Sequence, residues 1–176
     1  GLKLDVPDIF KDSGGRGLPK RTFKDRLTLG SGNDRVELHY FGRAHTGGDA
    51  FVVFPVARAM HTGDAFAAKG VPIMDANNGG SGVEYADTIA KAAALPNIDT
   101  VITGHAPTTF TMVDVKEYAD YNRAFVEHVR AAKKAGQTVE QAINWKVPER
   151  FLKNGYTQPM PDALRSNTQV VWNEIK

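Results

Sequence analysis

Apolar positions recur every second residue early in the chain and every third or fourth residue later, which predicts strands first and helices after them. Residues 22–29 place Phe23, Leu27 and Leu29 on one side of an extended segment. Residues 30–34 (GSGND) are turn chemistry, because Gly and Asn accept positive φ. Residues 35–41 then alternate Val36, Leu38 and Tyr40 with Arg35, Glu37 and His39, completing a hairpin with His39 on its solvent side. Residues 50–54 (AFVVF) form a continuous apolar run, the pattern of a strand covered on both faces; Pro55 closes it and residues 56–60 supply its partner. Residues 65–82 read as one long loop ending in DANNGGSG, and long ordered loops are uncommon unless they line a site.

The helical period starts at Ser81, which forms a capping box with Glu84 ahead of a stripe of Val83, Ala86, Ile89, Ala90 and Ala93; Pro96 ends it. Residues 99–103 (DTVIT) read as a short buried strand. Asp114 with Glu117 is expected to cap the longest helix, whose stripe is Val115, Tyr118, Tyr121, Phe125 and Val129 and which ends at Gly136. Thr138 with Gln141 starts a short helix, and residues 162–175 form a last one with Leu164, Val171, Trp172 and Ile175 buried. Residues 1–20 mix Gly, Pro and charge without a period and read as an irregular lead-in. This order predicts an α/β fold of the α+β type, with a mixed sheet carrying helices on one face. A chain of 176 residues fits a single domain, here residues 1–176.

Composition narrows the partners. A net charge of +2 without a basic run gives no nucleic-acid footprint. The absence of cysteine excludes disulfides and thiolate metal sites. No apolar stretch approaches membrane-spanning length, so no membrane partner is expected. The chain begins with Gly rather than Met and shows no signal-peptide pattern, which reads as a trimmed start and leaves the compartment unassigned.

Three residues with metal-binding side chains each follow a strand: His45 in a Gly-containing loop, Asp64 in the turn Thr62-Gly63-Asp64, and His105 between Gly104 and Ala106. Singly, each has an ordinary structural reading: an exposed loop histidine, a turn-capping carboxylate and a tight post-strand turn. Together, two imidazoles and a carboxylate suit a zinc-like ion. His61 lies three residues before Asp64 and either supports it or packs structurally, and His128 falls mid-helix facing solvent. The loop NNGGSG lacks the Lys-Ser/Thr that a phosphate cradle requires, so it is not read as one.

The run Gly42-Arg43-Ala44-His45-Thr46-Gly47-Gly48-Asp49, then FVVFP, then His61-Thr62-Gly63-Asp64, then Thr103-Gly104-His105 resembles the second half of the metallo-β-lactamase-fold hydrolases, from about residue 18 to about residue 143. The resemblance implies that His45 completes a three-histidine first metal site. Asp64 would bridge two zinc ions and share in catalysis, and His105 would belong to the second site. Asp75, Gly79 and Gly80 would form the rim. The family's His-x-His-x-Asp-His motif has no counterpart here. The chain therefore resembles one half of an αββα sandwich, and three ligands otherwise shared between two metals make a poor site for either.

On this resemblance the parent is a zinc-dependent hydrolase of a small-molecule lactam, lactone, thioester or other ester, and the chain alone is expected to be inactive. Its partner would be the missing N-terminal half or a second copy of the chain. The alternatives are a non-catalytic, self-associating half-domain and a binding module that keeps the three residues as leftovers.

Overall fold

The computed structural model describes residues 9–16 and 18–176. Most of the expected lead-in lies outside them; within them Ile9–Asp12 forms one helical turn, α1. Five strands follow the order β1 (Arg26–Leu29), β2 (Val36–His39), β3 (Phe51–Phe54), β4 (Ala59–His61) and β5 (Thr100–Ile102), side by side in that sequence. The first three pairings are antiparallel and β4–β5 is parallel. The crossover between the last two is α2 (Gly82–Ala93), and after β5 come α3 (Met112–Lys134), α4 (Val139–Ala142), α5 (Glu149–Lys153) and α6 (Pro161–Glu174). A mixed sheet with helices on one face is thus what the chain forms.

The register assigns every strand residue to a face. Arg26, Glu37, His39, Phe51, Val53, Met60 and Val101 point one way, and Phe51, Val53, Met60 and Val101 join Tyr85, Ile89, Val115 and Tyr118 of α2 and α3 in one core. The other face carries Leu27, Leu29, Val36, Leu38, Val52, Phe54, His61 and Ile102. Among the described residues no helix covers it: Leu29, Phe54 and Ile102 are exposed at 40%, 38% and 41%. The sheet is therefore apolar on both faces and packed on one.

That explains two departures from the sequence pattern. His39 is buried, not on the solvent side. Its Nε2 meets Glu37 Oε2 at 3.1 Å, its ring stacks on Phe41, and Arg26 neutralises Glu37 at 2.6 Å, so the polar alternates of β2 are paired beneath the helices. The apolar alternates point to the open face. Likewise β3 is covered on one face rather than two, with Phe51 and Val53 buried and Phe54 exposed.

In α2 the buried side is Tyr85, Ala86, Thr88, Ile89 and Ala92, rotated from the expected stripe, with Ala90 and Ala93 only partly buried. Ser81 accepts the Glu84 N–H, but the Glu84 carboxylate bonds Arg43 instead of closing the box. The cap of α3 is Thr111 with Asp114, three residues before the expected pair, because the Thr111 hydroxyl and Asp114 carboxylate satisfy each other's backbone donors. Its stripe of Val115, Tyr118, Tyr121, Phe125 and Val129 is buried as expected. Thr138 and Gln141 do form a capping box on α4. His128 does not face open solvent: its Nε2 donates to the Ala142 carbonyl at 2.9 Å and ties α3 to α4. Helix α5 was not legible, since one turn with a single buried residue, Phe151, carries no period.

Gly82 opens α2 where a Cβ would run into Val171 Cγ2 of α6 and lie 2.9 Å from Met74 Sδ. Gly82→Ala is expected to lower stability by about 1–3 kcal/mol through overpacking. Urea denaturation checks this: the midpoint should fall with the slope unchanged.

Candidate functional site

The topology gathers the candidate residues. Because β2 and β4 run against β3 and β5 runs with β4, the β2–β3 loop and the segments leaving β4 and β5 all emerge at one end of the sheet. His45, Asp64 and His105 lie on those three segments. Asp64 sits at the centre: its Oδ1 is 3.0 Å from His105 Nε2 and its Oδ2 is 3.7 Å from His45 Nε2. His45 is mostly buried, while the His105 side chain is 70% exposed.

Each side chain is held by its own backbone. Asp64 lies in a 3-10 turn, Gly63–Phe66, entered through His61, whose Nδ1 accepts the Gly63 N–H at 3.0 Å. His61 thus shapes the turn rather than joining the trio. The buried Thr62 hydroxyl donates to Phe66 O at 3.0 Å, and the Tyr85 hydroxyl of α2 donates to the Asp64 carbonyl at 3.2 Å. His105 N–H donates to Ala67 O at 3.0 Å, joining the two turns. Gly104 permits their close approach, since a Cβ there would lie 2.5 Å from Asp64 Oδ1 and 2.8 Å from Gly63 O.

The His45 loop is braced from below. Asp49 accepts from the Thr46 N–H and hydroxyl at 2.9 and 2.8 Å, curling the loop. The His45 carbonyl accepts Asp75 N–H at 2.9 Å and the Ala44 carbonyl accepts Ser81 N–H at 3.0 Å. Asp75 itself caps the 3-10 turn Ala76–Asn78, and its hydrogen bond from the Asn78 side chain holds its carboxyl below the usual range. Gly80 packs so tightly on the His45 carbonyl that a Cβ would collide with it. The long loop therefore does line the site. Arg43 is fixed by Glu84 at 2.6 Å, a contact that lowers the Glu84 carboxyl from its usual value.

One contact decides how His45 is presented. Its Nδ1 lies 2.8 Å from the Ile73 carbonyl, which can only accept, so Nδ1 carries the proton. In the neutral ring Nε2 is then an unprotonated lone pair on the side of Asp64. Metal-binding histidines are held this way by a carbonyl or carboxylate behind them.

A profile describing the metallo-beta-lactamase superfamily matches residues 3–105, more than half of the chain and all three candidate residues. The chain belongs to the metallo-beta-lactamase superfamily. Among solved structures of this fold it resembles the stereoselective inverting sec-alkylsulfatase Pisa1 from Pseudomonas sp., at 14% identity and a TM-score of 0.62, covering 87% of this chain and 26% of that one. It also resembles a metallo-beta-lactamase from Pontibacter korlensis, at 18% identity and a TM-score of 0.52, covering 65% of this chain and 54% of that one. At such identities the likeness is one of fold. The chain thus spans between about a quarter and about a half of the length of these two proteins. No curated protein matches it by sequence.

Superfamily members generally bind zinc, and the donor types at Asp64 are those zinc takes. Their number falls short: among the described residues no group of three or more His, Asp or Glu side chains could hold a metal ion by itself. A groove of about 680 Å3 runs between residues 73–77 and α6; none of the trio lines it, but Ile73 and Asp75, which bond His45, do, with Asn77, Arg165, Gln169 and Asn173 among the rest. Sequence reasoning placed the last helix over residues 162–175, close to α6 as it stands, but missed Tyr85 and the Ile73 carbonyl. Tyr85 carried a signal, as the one large aromatic in α2.

Proposed function

We propose that His45, Asp64 and His105 are this chain's share of the zinc centre of a hydrolase, completed by donors from polypeptide outside the chain that packs on the open sheet face. The observation that carries this reading is the convergence of two histidines from separate loops on one carboxylate, with the Nε2 of His45 left free by the Ile73 carbonyl. Asp64, with one oxygen towards each imidazole, is the donor suited to serve two ions. The uncovered apolar face supports an outside partner, since contiguous apolar surface of this kind marks an interaction site. Zinc, when bound, supplies a coordinated water ionised near neutral pH and polarises the oxygen of the scissile bond. The chain's own residues hold and orient the donors. A small lactam, lactone, thioester or other ester would approach along the groove between residues 73–77 and α6.

Zinc titrated into the chain is expected to shift the ring signals of His45 and His105 together in NMR spectra and to leave His128 unmoved. His45→Ala and His105→Ala should each weaken that response by roughly tenfold or more, as loss of a donor or its support does, whereas His128→Ala should not. Equal responses in all three variants would overturn the assignment. A zinc-loaded dimer in native mass spectrometry would assign the missing donors to a second copy of the chain instead.

A further inference from the structure

The contact that orients His45 is itself held in place from far along the chain. Ile73 presents its carbonyl to His45 Nδ1, yet its own side chain is 70% exposed and contributes no core packing. What fixes its backbone is Asn167, on the buried side of α6 and only 2% exposed. The Asn167 Oδ1 accepts the Met74 N–H at 3.2 Å, and its Nδ2 donates to the Pro72 carbonyl at 2.5 Å. One amide side chain thus grips the residues immediately before and after Ile73. Only one orientation of the amide satisfies both, because Pro72 offers an acceptor and Met74 a donor. With the peptides on either side clamped, the Ile73 carbonyl is aimed at the imidazole.

We infer that Asn167 is a positioning residue for His45: through the Pro72–Met74 backbone it sets the tautomer and ring orientation in which Nε2 faces Asp64. Asn167 hydrogen-bonds Met74 and Pro72 and not His45 or Asp64, and it lies outside residues 3–105, so nothing in the superfamily match assigns it a role. The inference starts from the reading of His45 as a donor, but it concerns the ring alone and is tested without metal. A polar amide on the apolar side of a helix has an evident reason here. It replaces the hydrogen bonds that an extended loop segment cannot make to a strand, and burial makes leaving either group unpaired costly.

The test is long-range 1H–15N NMR of the histidine rings in the metal-free chain, at a pH where the rings are neutral. The unaltered chain should show His45 as a single Nδ1-protonated tautomer and His128 as the Nε2-protonated one, since His128 donates through Nε2. In Asn167→Leu, which keeps the fork at Cγ and removes both hydrogen bonds, the two His45 nitrogen shifts should move towards each other as the ring begins to exchange tautomers, with His128 unchanged. Asn167→Asp keeps the acceptor for Met74 and loses the donor to Pro72, and should fall between. Leu164→Ala, which loosens the same helix from the core, controls for destabilisation alone and should leave His45 as it was. His45 retaining its single tautomer in Asn167→Leu would overturn the inference, as would the same change appearing in Leu164→Ala. Either result leaves zinc binding by His45 to be judged by the zinc titration, so the two readings fail separately.

Discussion

Tyr118→Ala is expected to remove about 3–5 kcal/mol of stability, the cost of deleting a large buried aromatic. Tyr118 is the hub of an aromatic cluster. Its ring stacks on Phe66 at 4.3 Å, meets Tyr85 edge-on at 6.4 Å and lies parallel to Tyr121 at 6.2 Å, which in turn stacks on Tyr156 at 4.5 Å. It therefore joins the turn that carries Asp64, the crossover helix and the segment after α5. Burial raises its phenol well above the usual tyrosine range, so the ring packs as a neutral group near neutral pH. Thermal unfolding should show a drop on the order of 10 °C for a chain of this size. Tyr118→Phe keeps the packing and should cost only about 1 kcal/mol. A drop in Tyr118→Ala no larger than in Tyr118→Phe would mean that the cluster does not bear on folding. Since a domain of this kind has only about 5–15 kcal/mol in hand, the alanine variant should populate unfolded chain measurably at moderate temperature.

The same cluster shows why part of this protein could be read from its sequence. The stripe from Val115 to Val129 repeats over four turns of one helix, and a long period survives local exceptions. The trio at the sheet end was legible for a different reason: each member follows a strand, and the alternation of strand directions carries all three to the same end. Two things could not be read. Alternation along β2 names two faces without saying which meets the helices. Here the sheet is apolar on both, so His39 and Glu37 went under the helices as a paired set while Val36 and Leu38 stayed outside. And Asn167 lies 95 residues from Pro72 in the chain. A polar residue three positions after Leu164 on a buried stripe was the signal available, but it named no partner.

Val52→Asp is expected to abolish association through the open sheet face while leaving the fold intact. Val52 stands in the middle of a cross-strand row, between Leu38 on β2 and His61 on β4, with Leu27 and Ile102 at the ends. It is half-buried, on the face that no helix covers among the described residues. In the free chain an aspartate there keeps its water, so the helix-side core, led by Phe51 and Val53 on the same strand, should be untouched. Once a partner covers the row, the charge has nothing opposite it and burying it is strongly unfavourable. A central interface position of this kind is worth about 2 kcal/mol or more, and about 2.7 kcal/mol corresponds to a hundredfold in affinity. Sedimentation velocity of the chain, alone and mixed with a polypeptide carrying the proposed missing donors, should therefore show association lost on the order of a hundredfold. Val113→Asp is the control, because Val113 is 77% exposed at the start of α3, away from this face. Undiminished association of Val52→Asp would place the interface elsewhere, and the donors that complete the site would then have to reach Asp64 without crossing the open face.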